Sequence, residues 1–560
     1  MTPLPFTGSF PTLKLKEECC MINGAQALME SLKREGVERI FGYAGATICP
    51  AVDALAATDI AYTLVRTEQN AGHMASGYAR MMGKPGVCMV TSGPGATNLI
   101  TGIATAYMDS IPIVAITGQV QSYLLGRDIF QEVDITGACA PFIKHSYLVK
   151  DANDIPRIVK EAFHIASTGR QGPVLIDIPI DIQQQMIDPV YPDSVDIRGY
   201  KPSVKGNDVQ IKRVAAAISA AQKPLLCVGG GLFSADAQKE LVALCEGANI
   251  PVVTTMMGLG LLPRDNPLNL GMIGAFGTPT ANRALNTTDL LIIAGARAAD
   301  RAVTSPKEIA SRTKTVHLDV DPAEIGKNFS TTVPVVGDVK VILDQLISHH
   351  PRAQSENWVA DLQARRAAEK QPAAAPGAGS ITPSYLMRAL GEQLSDNACV
   401  CVDVGQNQIW AAKHLPMKHG RFLTTGGLGT MGYSLPAALG VKTVVPDRQT
   451  VVVCGDGSFQ MFENELATLK AMNADVKIVM VHNGVLGLVH QIQYSSYSGP
   501  FGVDLTGSPD FEKLAEAYGI PSARISDDGQ VEDAIGAMLT TSGPYLLICD
   551  VDPMVTTSMT

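Results

Sequence analysis

One stretch, residues 451–487, restricts the possible folds more than any other part of the chain. An uninterrupted apolar run over 450–454 is typical of a buried parallel strand, and Gly455-Asp456-Gly457 follows it directly. A second apolar run over 476–481 ends in His482-Asn483-Gly484. The segment between the two runs is predicted to be a helix with one apolar face, formed by Met461, Phe462, Leu466 and Leu469. The pattern therefore predicts a β–α–β unit of an α/β protein.

The same unit brings two oxygen-bearing side chains to one edge of the predicted sheet. Asp456 follows the first strand and Asn483 the second, and ligands of open α/β sheets bind at the carboxyl ends of the strands. Carboxylate and amide oxygens suit Mg²⁺, which completes its coordination shell with phosphate oxygens. A helix beginning near Ser458 would offer free N–H groups to that phosphate. The alternative is that both glycine-containing segments are ordinary turns.

Composition and charge exclude several classes of protein. The chain has 560 residues, 46% of them hydrophobic and 18% charged, as expected of a large globular protein with three or four domains. A net charge of −10 without a basic run argues against nucleic-acid binding. The 11 cysteines include no CxxC pair, which is typical of reduced thiols in a cytoplasmic protein. Residues 87–108 carry no charge, but Gly93-Pro94-Gly95 favours a buried strand–turn–helix over a membrane span.

The alternation of apolar runs and amphipathic segments divides the chain into units. We predict an α/β fold of three doubly wound parallel-sheet domains. The predicted bounds are a flexible N-terminal segment over 1–20, domains over 21–190, 205–350 and 381–552, and a linker over 351–380.

The motifs resemble those of a known enzyme family. Gly455-Asp456-Gly457 followed at a fixed distance by Asn483 resembles the thiamine diphosphate motif, and residues 68–80 and 91–98 resemble the pyrimidine-binding domain of acetohydroxyacid (acetolactate) synthases. The resemblance implies that Glu68 hydrogen-bonds the cofactor's aminopyrimidine and so promotes proton removal from the thiazolium ring. From the residues alone, the simpler interpretation of Glu68 is an acid at a helix N-terminus, where the helix dipole favours negative charge.

The resemblance also assigns the remaining candidate residues around thiamine diphosphate. It implies that Asp456, Asn483 and Val485 bind Mg²⁺, that Phe130 and Gln131 line the active site, and that Arg301 contacts the second substrate's carboxylate. Met431 would be the apolar residue that bends the cofactor. The implied thiamine diphosphate residues are Gly405, Gln406, Asn407, Gly429, Met431, Gly457, Ser458, Leu486 and Gly487.

The middle unit resembles the FAD-binding domain of the same family. A Gly-rich turn after the strand at 224–228 is weak evidence by itself and gains weight from the motifs around it. The family's Arg-Phe-x-x-Arg signature is Arg297-Ala298-Ala299-Asp300-Arg301 here, so its Phe is missing. The implied FAD residues are Arg170, Gly229, Gly230, Thr255, Met256, Gly274, Gly295, Arg297, Asp300, Asp319, Val320, Glu324, Asp338 and Val339.

The resemblance implies a homodimeric or homotetrameric carboligase, with a regulatory subunit as a possible partner, that decarboxylates pyruvate and makes 2-acetolactate. Several residues of the family's substrate channel differ, namely Thr67, Ile180, Phe276 and Ile492. In the family a Trp at the position of Ile492 contacts the extra methyl of 2-oxobutyrate. A carboligase or lyase with another acceptor, such as an aldehyde, is therefore one alternative. A flavin-linked 2-oxo acid oxidase and an inactive binding homologue are two others. The sequence alone does not decide the acceptor, the pathway or the oligomeric state.

Overall fold

The computed structural model describes residues 21–377 and 379–558, and the flexible segment predicted over 1–20 lies outside them. Three α/β domains follow one another along the chain, and each contains a six-stranded sheet whose paired strands are parallel. The predicted fold class is confirmed.

The first domain begins with a helix that the sequence caps at its start. Asn23 accepts a hydrogen bond from the Gln26 backbone N–H, and the Gln26 side chain accepts one from the Asn23 N–H. Its strands are β1 Ile22–Asn23, β2 Arg39–Tyr43, β3 Ala61–Leu64, β4 Gly86–Val90, β5 Ile113–Gln119, β6 His145–Leu148, β7 Val174–Pro179 and β8 Met186–Ile187. Its helices are α1 Gly24–Arg34, α2 Cys49–Ala56, α3 Glu68–Met82, α4 Pro94–Asp109, α5 Ile135–Cys139, α6 Ile155–Ser167 and α7 Ile180–Gln184. Strands β1 and β8 form a separate antiparallel pair.

The middle domain is built from near-continuous apolar strands covered by helices on both faces. Its strands are β9 Pro224–Val228, β10 Val252–Thr254, β11 Asn269–Met272, β12 Leu290–Ala294, β13 Lys314–Asp319 and β14 Val333–Val336. Its helices are α8 Asp208–Ala220, α9 Gly231–Ser234, α10 Gln238–Ala248, α11 Pro279–Thr287, α12 Pro306–Arg312, α13 Val339–Ile347 and α14 Glu356–Ala367.

The third domain contains residues 451–487, the stretch that carries Gly455-Asp456-Gly457. Its strands are β15 Cys399–Val402, β16 Arg421–Leu423, β17 Thr450–Gly455, β18 Val476–His482, β19 Ser522–Ile525 and β20 Tyr545–Asp550. Its helices are α15 Pro383–Gln393, α16 Gln406–His414, α17 Ser434–Val444, α18 Asp456–Phe459, α19 Leu466–Ala471, α20 Gly487–Ser496, α21 Phe511–Ala517 and α22 Val531–Thr540.

The strand order shows where ligands are expected to bind. The order is β3-β2-β4-β5-β7-β6 in the first domain and β16-β15-β17-β18-β20-β19 in the third, so the two outer domains share one topology. The middle sheet runs β11-β10-β9-β12-β13-β14. In the third domain the chain reverses direction across the sheet between β15 and β17, and open α/β sheets bind ligands at such a switch point. Both segments that follow these strands carry predicted cofactor residues.

Helices α3 and α17 join the two outer domains into one continuous apolar core. The helices cross so closely that a Cβ at Gly440 would overlap the Met74 carbonyl oxygen, and one at Gly77 would overlap the Ala437 carbonyl oxygen. Glycine is therefore required at both positions for this crossing.

The segment after Gly455-Asp456-Gly457 differs from the single helix that the sequence predicted. Helix α18 ends at Phe459, a short 3₁₀ turn spans Glu463–Glu465, and α19 begins at Leu466. The break lets Phe459 and Phe462 pack edge to face, with ring centroids 5.3 Å apart. Met461 is 53% exposed, so its predicted place on a buried helix face is wrong.

The linker predicted over 351–380 also contains more structure than expected. Helix α14 lies inside this range and buries Trp358 and Leu362 against the middle domain. The Ala-, Pro- and Gly-rich part that follows it forms neither helix nor strand in its described residues.

No helix in the described ranges is long and apolar enough to cross a membrane. The uncharged residues 87–108 lie in β4, the turn after it and α4, as predicted.

Candidate active site

The Asp456 carboxylate lies at the carboxyl end of β17 and is almost completely buried. Its two oxygens accept hydrogen bonds from the Gly457 N–H at 3.1 Å and the Gly484 N–H at 2.7 Å. Burial raises the pKa of Asp456, and these hydrogen bonds oppose that effect. His482 lies beside it, with Nε2 3.9 Å from Oδ2 of Asp456. A buried carboxylate whose two oxygens are held by backbone N–H groups has the chemistry of a ligand for a hard metal ion.

The Asn483 side chain lies beside Asp456, one residue before the glycine that Asp456 binds. Its Oδ1 accepts from the Val485 N–H at 3.2 Å, and its Nδ2 donates to Gln406 Oε1 at 3.4 Å. Gln406 is buried and donates in turn to Gln491 Oε1 at 2.9 Å. The ends of β17 and β18 and the start of α16 thus meet at one place, as the motif spacing predicted.

An apolar wall borders this polar group. A Cβ at Gly457 would lie 2.8 Å from Leu486, 3.4 Å from Leu505 and 3.6 Å from the Met431 methyl. Met431 therefore lies next to the Asp456 loop, and substitution at Gly457 would have to displace Leu486.

Two buried aspartates fix the loop that carries Gly429 and Met431. Asp403, after β15, accepts from the backbone N–H groups of Gly432 and Ser434, both at 2.9 Å. Asp109, at the end of α4, accepts from the Gly427 N–H at 2.8 Å and pairs with Arg80 at 3.2 Å. Burial raises the pKa of both aspartates. Asp109 of the first domain thus holds one end of the loop, and Asp403 of the third domain holds the other.

Glu68 is the first residue of α3 and is partly exposed. Its Oε2 accepts a hydrogen bond from Asn98 Nδ2 at 3.0 Å, and its Oε1 lies 3.3 Å from where a Cβ at Gly95 would be. Within the part of the chain that the structure describes, no hydrogen bond joins Glu68 to the Asp456 loop. The two predicted groups lie on different domains.

Phe130 and Gln131 lie on the loop before α5. Phe130 is 87% exposed, while Gln131 adopts φ +63° and packs against Gly93 in the turn that begins α4. The exposed Phe130 ring and the strained Gln131 backbone therefore lie near the turn that contains Gly95, next to Glu68.

Arg170 of the first domain pairs with Glu324 and Asp321 of the middle domain, and Arg170 and Glu324 are both predicted FAD residues. Its Nη1 lies 2.8 Å from Glu324 and 3.3 Å from Asp321, and its Nε donates to Ser110 Oγ at 3.0 Å. Glu324 is 4% exposed, and its Oε2 has no hydrogen-bond partner among the described residues. That buried acceptor suits a ligand hydroxyl or amine.

The other predicted FAD residues fall into three structural settings. Gly229, Gly230 and Gly295 form the tight turns after β9 and β12, at the switch point of the middle sheet. Asp300 and Arg301 are exposed side chains that lie 3.9 Å apart. Asp338 caps α13 through the Val341 N–H, and Val339 is buried in the core, so both also have structural roles. The remaining members are Thr255 and Met256 after β10, Gly274 after β11, Arg297 after β12, and Asp319 and Val320 at the end of β13.

Several residues that shape the site were not among those predicted from the sequence. Asn98 and Gln491 each form a hydrogen bond with a predicted residue. Asp403 and Asp109 hold the loop that carries the predicted Gly429 and Met431, and Glu465 contacts both outer domains. Asp403 could have been found, because it immediately follows an apolar strand. The other four have no local signal, since their partners are distant in sequence.

Comparison with known proteins agrees with this architecture. Family models match residues 22–138 as the N-terminal thiamine pyrophosphate-binding domain, 211–346 as the central domain and 403–549 as the C-terminal thiamine pyrophosphate-binding domain of thiamine pyrophosphate enzymes. The fold and the site thus define a thiamine pyrophosphate enzyme.

Individual relatives identify the family within the thiamine pyrophosphate enzymes. An acetolactate synthase from Arthrospira platensis is 44% identical over 550 residues, which cover 95% of this chain and 94% of the relative. A protein named probable acetolactate synthase large subunit from Methanococcus aeolicus is 41% identical over 561 residues, covering 96% and 93%. An acetolactate synthase from Mycobacterium bovis is 44% identical over 527 residues, covering 92% and 85%. The chain belongs to the acetolactate synthase family of thiamine pyrophosphate enzymes.

Proposed function

We propose that this protein decarboxylates pyruvate and joins the resulting two-carbon unit to a second 2-oxo acid, which gives 2-acetolactate when that acid is also pyruvate. The observation that carries the proposal is the meeting of Asp456, Asn483 and Gln406 at the switch point of the third sheet, in a chain of this family.

We assign Mg²⁺ and thiamine diphosphate to this place. The buried Asp456 carboxylate, the Asn483 amide oxygen and the Val485 carbonyl are three oxygen donors of the kind that Mg²⁺ prefers, and phosphate oxygens complete its shell. The glycines at 405, 429, 457 and 487 and the side chains of Gln406, Asn407, Ser458 and Leu486 form the surrounding wall. Met431 supplies the apolar contact beside it.

Bound thiamine diphosphate supplies the carbon nucleophile and the electron sink that decarboxylation of a 2-oxo acid requires. Glu68 holds a proton at the aminopyrimidine ring and so acts as the acid–base group of the protein. Asn98 orients its carboxylate through their 3.0 Å hydrogen bond. Gln131 and Phe130 border the substrate, and Arg301 binds the carboxylate of the acceptor.

FAD is proposed for the switch point of the middle domain, without a part in the net reaction. The unpartnered Glu324 Oε2 and the Gly229–Gly295 turns support this assignment. Arg170 holds Glu324 in place from the first domain.

We also propose a homodimer or homotetramer located in the cytoplasm. An assembly supports the function because Glu68 and Asp456 lie on separate domains and no hydrogen bond joins them among the described residues, so a second chain would bring them together. The names of two relatives include the words large subunit, which supports a separate regulatory subunit as a partner.

A carboligase with an aldehyde or another acceptor is the second candidate. It is favoured by Ile492, which is 46% exposed on α20 where the resemblance expects Trp.

Reconstitution tests the assignment of the cofactors. Release of CO₂ from pyruvate is expected to require both thiamine diphosphate and Mg²⁺, and Asp456→Ala is expected to abolish Mg²⁺-dependent binding of thiamine diphosphate in calorimetry. Tight binding by Asp456→Ala would refute the metal site.

A further inference from the structure

Glu465 is a completely buried carboxylate that bonds to both outer domains. It lies at the end of the 3₁₀ turn Glu463–Glu465 in the third domain. Its Oε1 accepts from the Arg66 backbone N–H at 2.7 Å and from Asn70 Nδ2 at 3.0 Å, both in the first domain. Its Oε2 accepts from Thr468 Oγ1 at 2.6 Å. No Lys, Arg or His forms an ion pair with it within the described ranges.

The two first-domain donors lie on either side of Glu68. Arg66 is in the turn after β3, two residues before Glu68, and Asn70 is two residues after it in the first turn of α3. Thr468 adds a 3.3 Å hydrogen bond to the Leu64 carbonyl, where β3 ends. Glu465 therefore holds the strand-to-helix turn whose next side chain is Glu68.

Removing this carboxylate would leave the buried Asn70 amide and the partly buried Arg66 N–H without an acceptor. An unsatisfied buried donor is costly, so the turn would move until Arg66 and Asn70 reach water or another acceptor. Such movement displaces the Glu68 side chain, and a displacement of about 1 Å at a reacting group costs up to about 10²-fold in rate.

We propose that Glu465 is a positioning residue for Glu68 of its own chain. The inference rests on the proposed function for its effect on turnover, but not for its effect on the turn. Although Glu465 follows Asp456 in the same domain, the hydrogen bonds to its Oε1 come from the first domain, and the one to its Oε2 comes from Thr468 and not from the metal site. In an assembly where Glu68 of one chain completes the site on a second chain, Glu465 of the first chain acts on that shared site. It does not act on the site that contains Asp456 of its own chain.

The first test needs neither cofactor nor substrate. In the protein without cofactors, hydrogen–deuterium exchange at the Arg66–Asn70 segment is expected to accelerate in Glu465→Ala and to remain near wild type in Glu465→Gln. Gln keeps an oxygen for Arg66 and Asn70, and the Thr468 hydroxyl can reverse its role. Glu463→Ala is the matched control, because Glu463 belongs to the same turn and its side chain makes no hydrogen bond among the described residues. Unchanged exchange in Glu465→Ala would overturn the proposal.

The second test uses mixed assemblies of the holoenzyme. Glu465→Ala is expected to lower kcat by up to about 10²-fold with an unchanged dissociation constant for thiamine diphosphate. Mixed with Asp456→Ala chains it is expected to regain activity, because one site then has an intact Glu68 turn and an intact Asp456. Mixed with Glu68→Gln chains it is expected to stay inactive. The reverse pattern, or equal losses in Glu465→Gln and Glu465→Ala, would overturn the proposal.

One further variant and one control distinguish a failure of assembly from a failure of the proposed function. If Glu465→Ala does not assemble, Glu465→Asp replaces it, since it keeps the charge but withdraws the carboxylate by one methylene. If Glu68→Gln and Asp456→Ala fail to complement each other, the shared site of the proposed function is refuted, while the exchange experiment still decides the role of Glu465.

Discussion

At the scale of single residues, the predicted reaction depends on carboxylates whose surroundings differ sharply. Asp456 is buried and bonded by two backbone N–H groups, which leaves it suited to a metal ion. Glu68 is partly exposed and bonded by a single neutral amide, which leaves one oxygen available to a ligand. These surroundings support an electrostatic role for the first and an acid–base role for the second.

The role of Glu68 is tested by Glu68→Gln. We expect turnover to fall by roughly 10²–10⁴-fold, as for other acid–base groups, because the amide cannot exchange the proton. The fold and the affinity for thiamine diphosphate are expected to stay unchanged, as measured by circular dichroism and calorimetry. Near-normal turnover would remove Glu68 from the mechanism.

Acceptor choice is tested at Ile492. An aliphatic side chain offers less surface than Trp to the extra methyl of 2-oxobutyrate, a contact worth about 1–3 kcal/mol. We expect pyruvate and 2-oxobutyrate to compete nearly equally as acceptors, and Ile492→Trp to favour 2-oxobutyrate. Chromatography of both products from a mixture measures the ratio. A wild-type enzyme that already strongly prefers 2-oxobutyrate would contradict this expectation, and so would an unchanged ratio in a folded variant.

Asp177, buried in β7, predicts a pH dependence of stability. Burial raises its pKa from 3.8 to about 7, against hydrogen bonds from Thr117 and Gln119. The folded protein thus binds this proton more tightly than the unfolded chain. The contribution of this proton to the free energy of unfolding, a few kcal/mol, is complete below about pH 4. It is lost as the pH rises through about 7.

Asp177→Asn imitates the protonated side chain and should remove this dependence. Relative to wild type, the variant is expected to gain thermal stability between about pH 5 and pH 8, as measured by the melting temperature. A constant difference in melting temperature between Asp177→Asn and wild type across that range would show that Asp177 is ionised throughout.

At the scale of elements, local patterns were sufficient for the strands at 224–228, 450–454 and 476–481 and for the position of the segments that carry Asp456 and Asn483. The apolar runs at 450–454 and 476–481 became β17 and β18, because buried parallel strands need little beyond apolar, β-favouring residues. The helix after Asp456 could not be predicted correctly, because its break depends on the packing of Phe459 and Phe462 with Phe511, which is distant in sequence. Residues such as Asp109 and Glu465 were missed for the same reason.

The crossing of α3 and α17 is tested by Gly440→Ala. The new methyl would overlap the Met74 carbonyl oxygen, so the helices must separate, at a cost of roughly 1–3 kcal/mol. Gly247→Ala in α10 is the matched control, since nothing lies within 4 Å of its added methyl, and it should be neutral or stabilising. Thermal unfolding measures both variants. Equal melting temperatures would show that the crossing tolerates a side chain.

At the scale of the whole molecule, two domains of one topology precede and follow in sequence a third with a different strand order, and Glu68 and Asp456 are divided between the outer two. The sequence predicted the three sheets and the segments at their carboxyl edges. It could not predict which groups meet within one chain, since that depends on domain contacts such as the α3–α17 crossing.

The carbon skeleton made from pyruvate labelled with ¹³C at its keto carbon tests the proposed carboligation most directly. Joining two pyruvate molecules bonds one labelled carbon to the other, so we predict ¹³C–¹³C coupling in the NMR spectrum of the product, dependent on thiamine diphosphate and Mg²⁺. Labelled acetaldehyde or acetate without any coupled product would contradict the account.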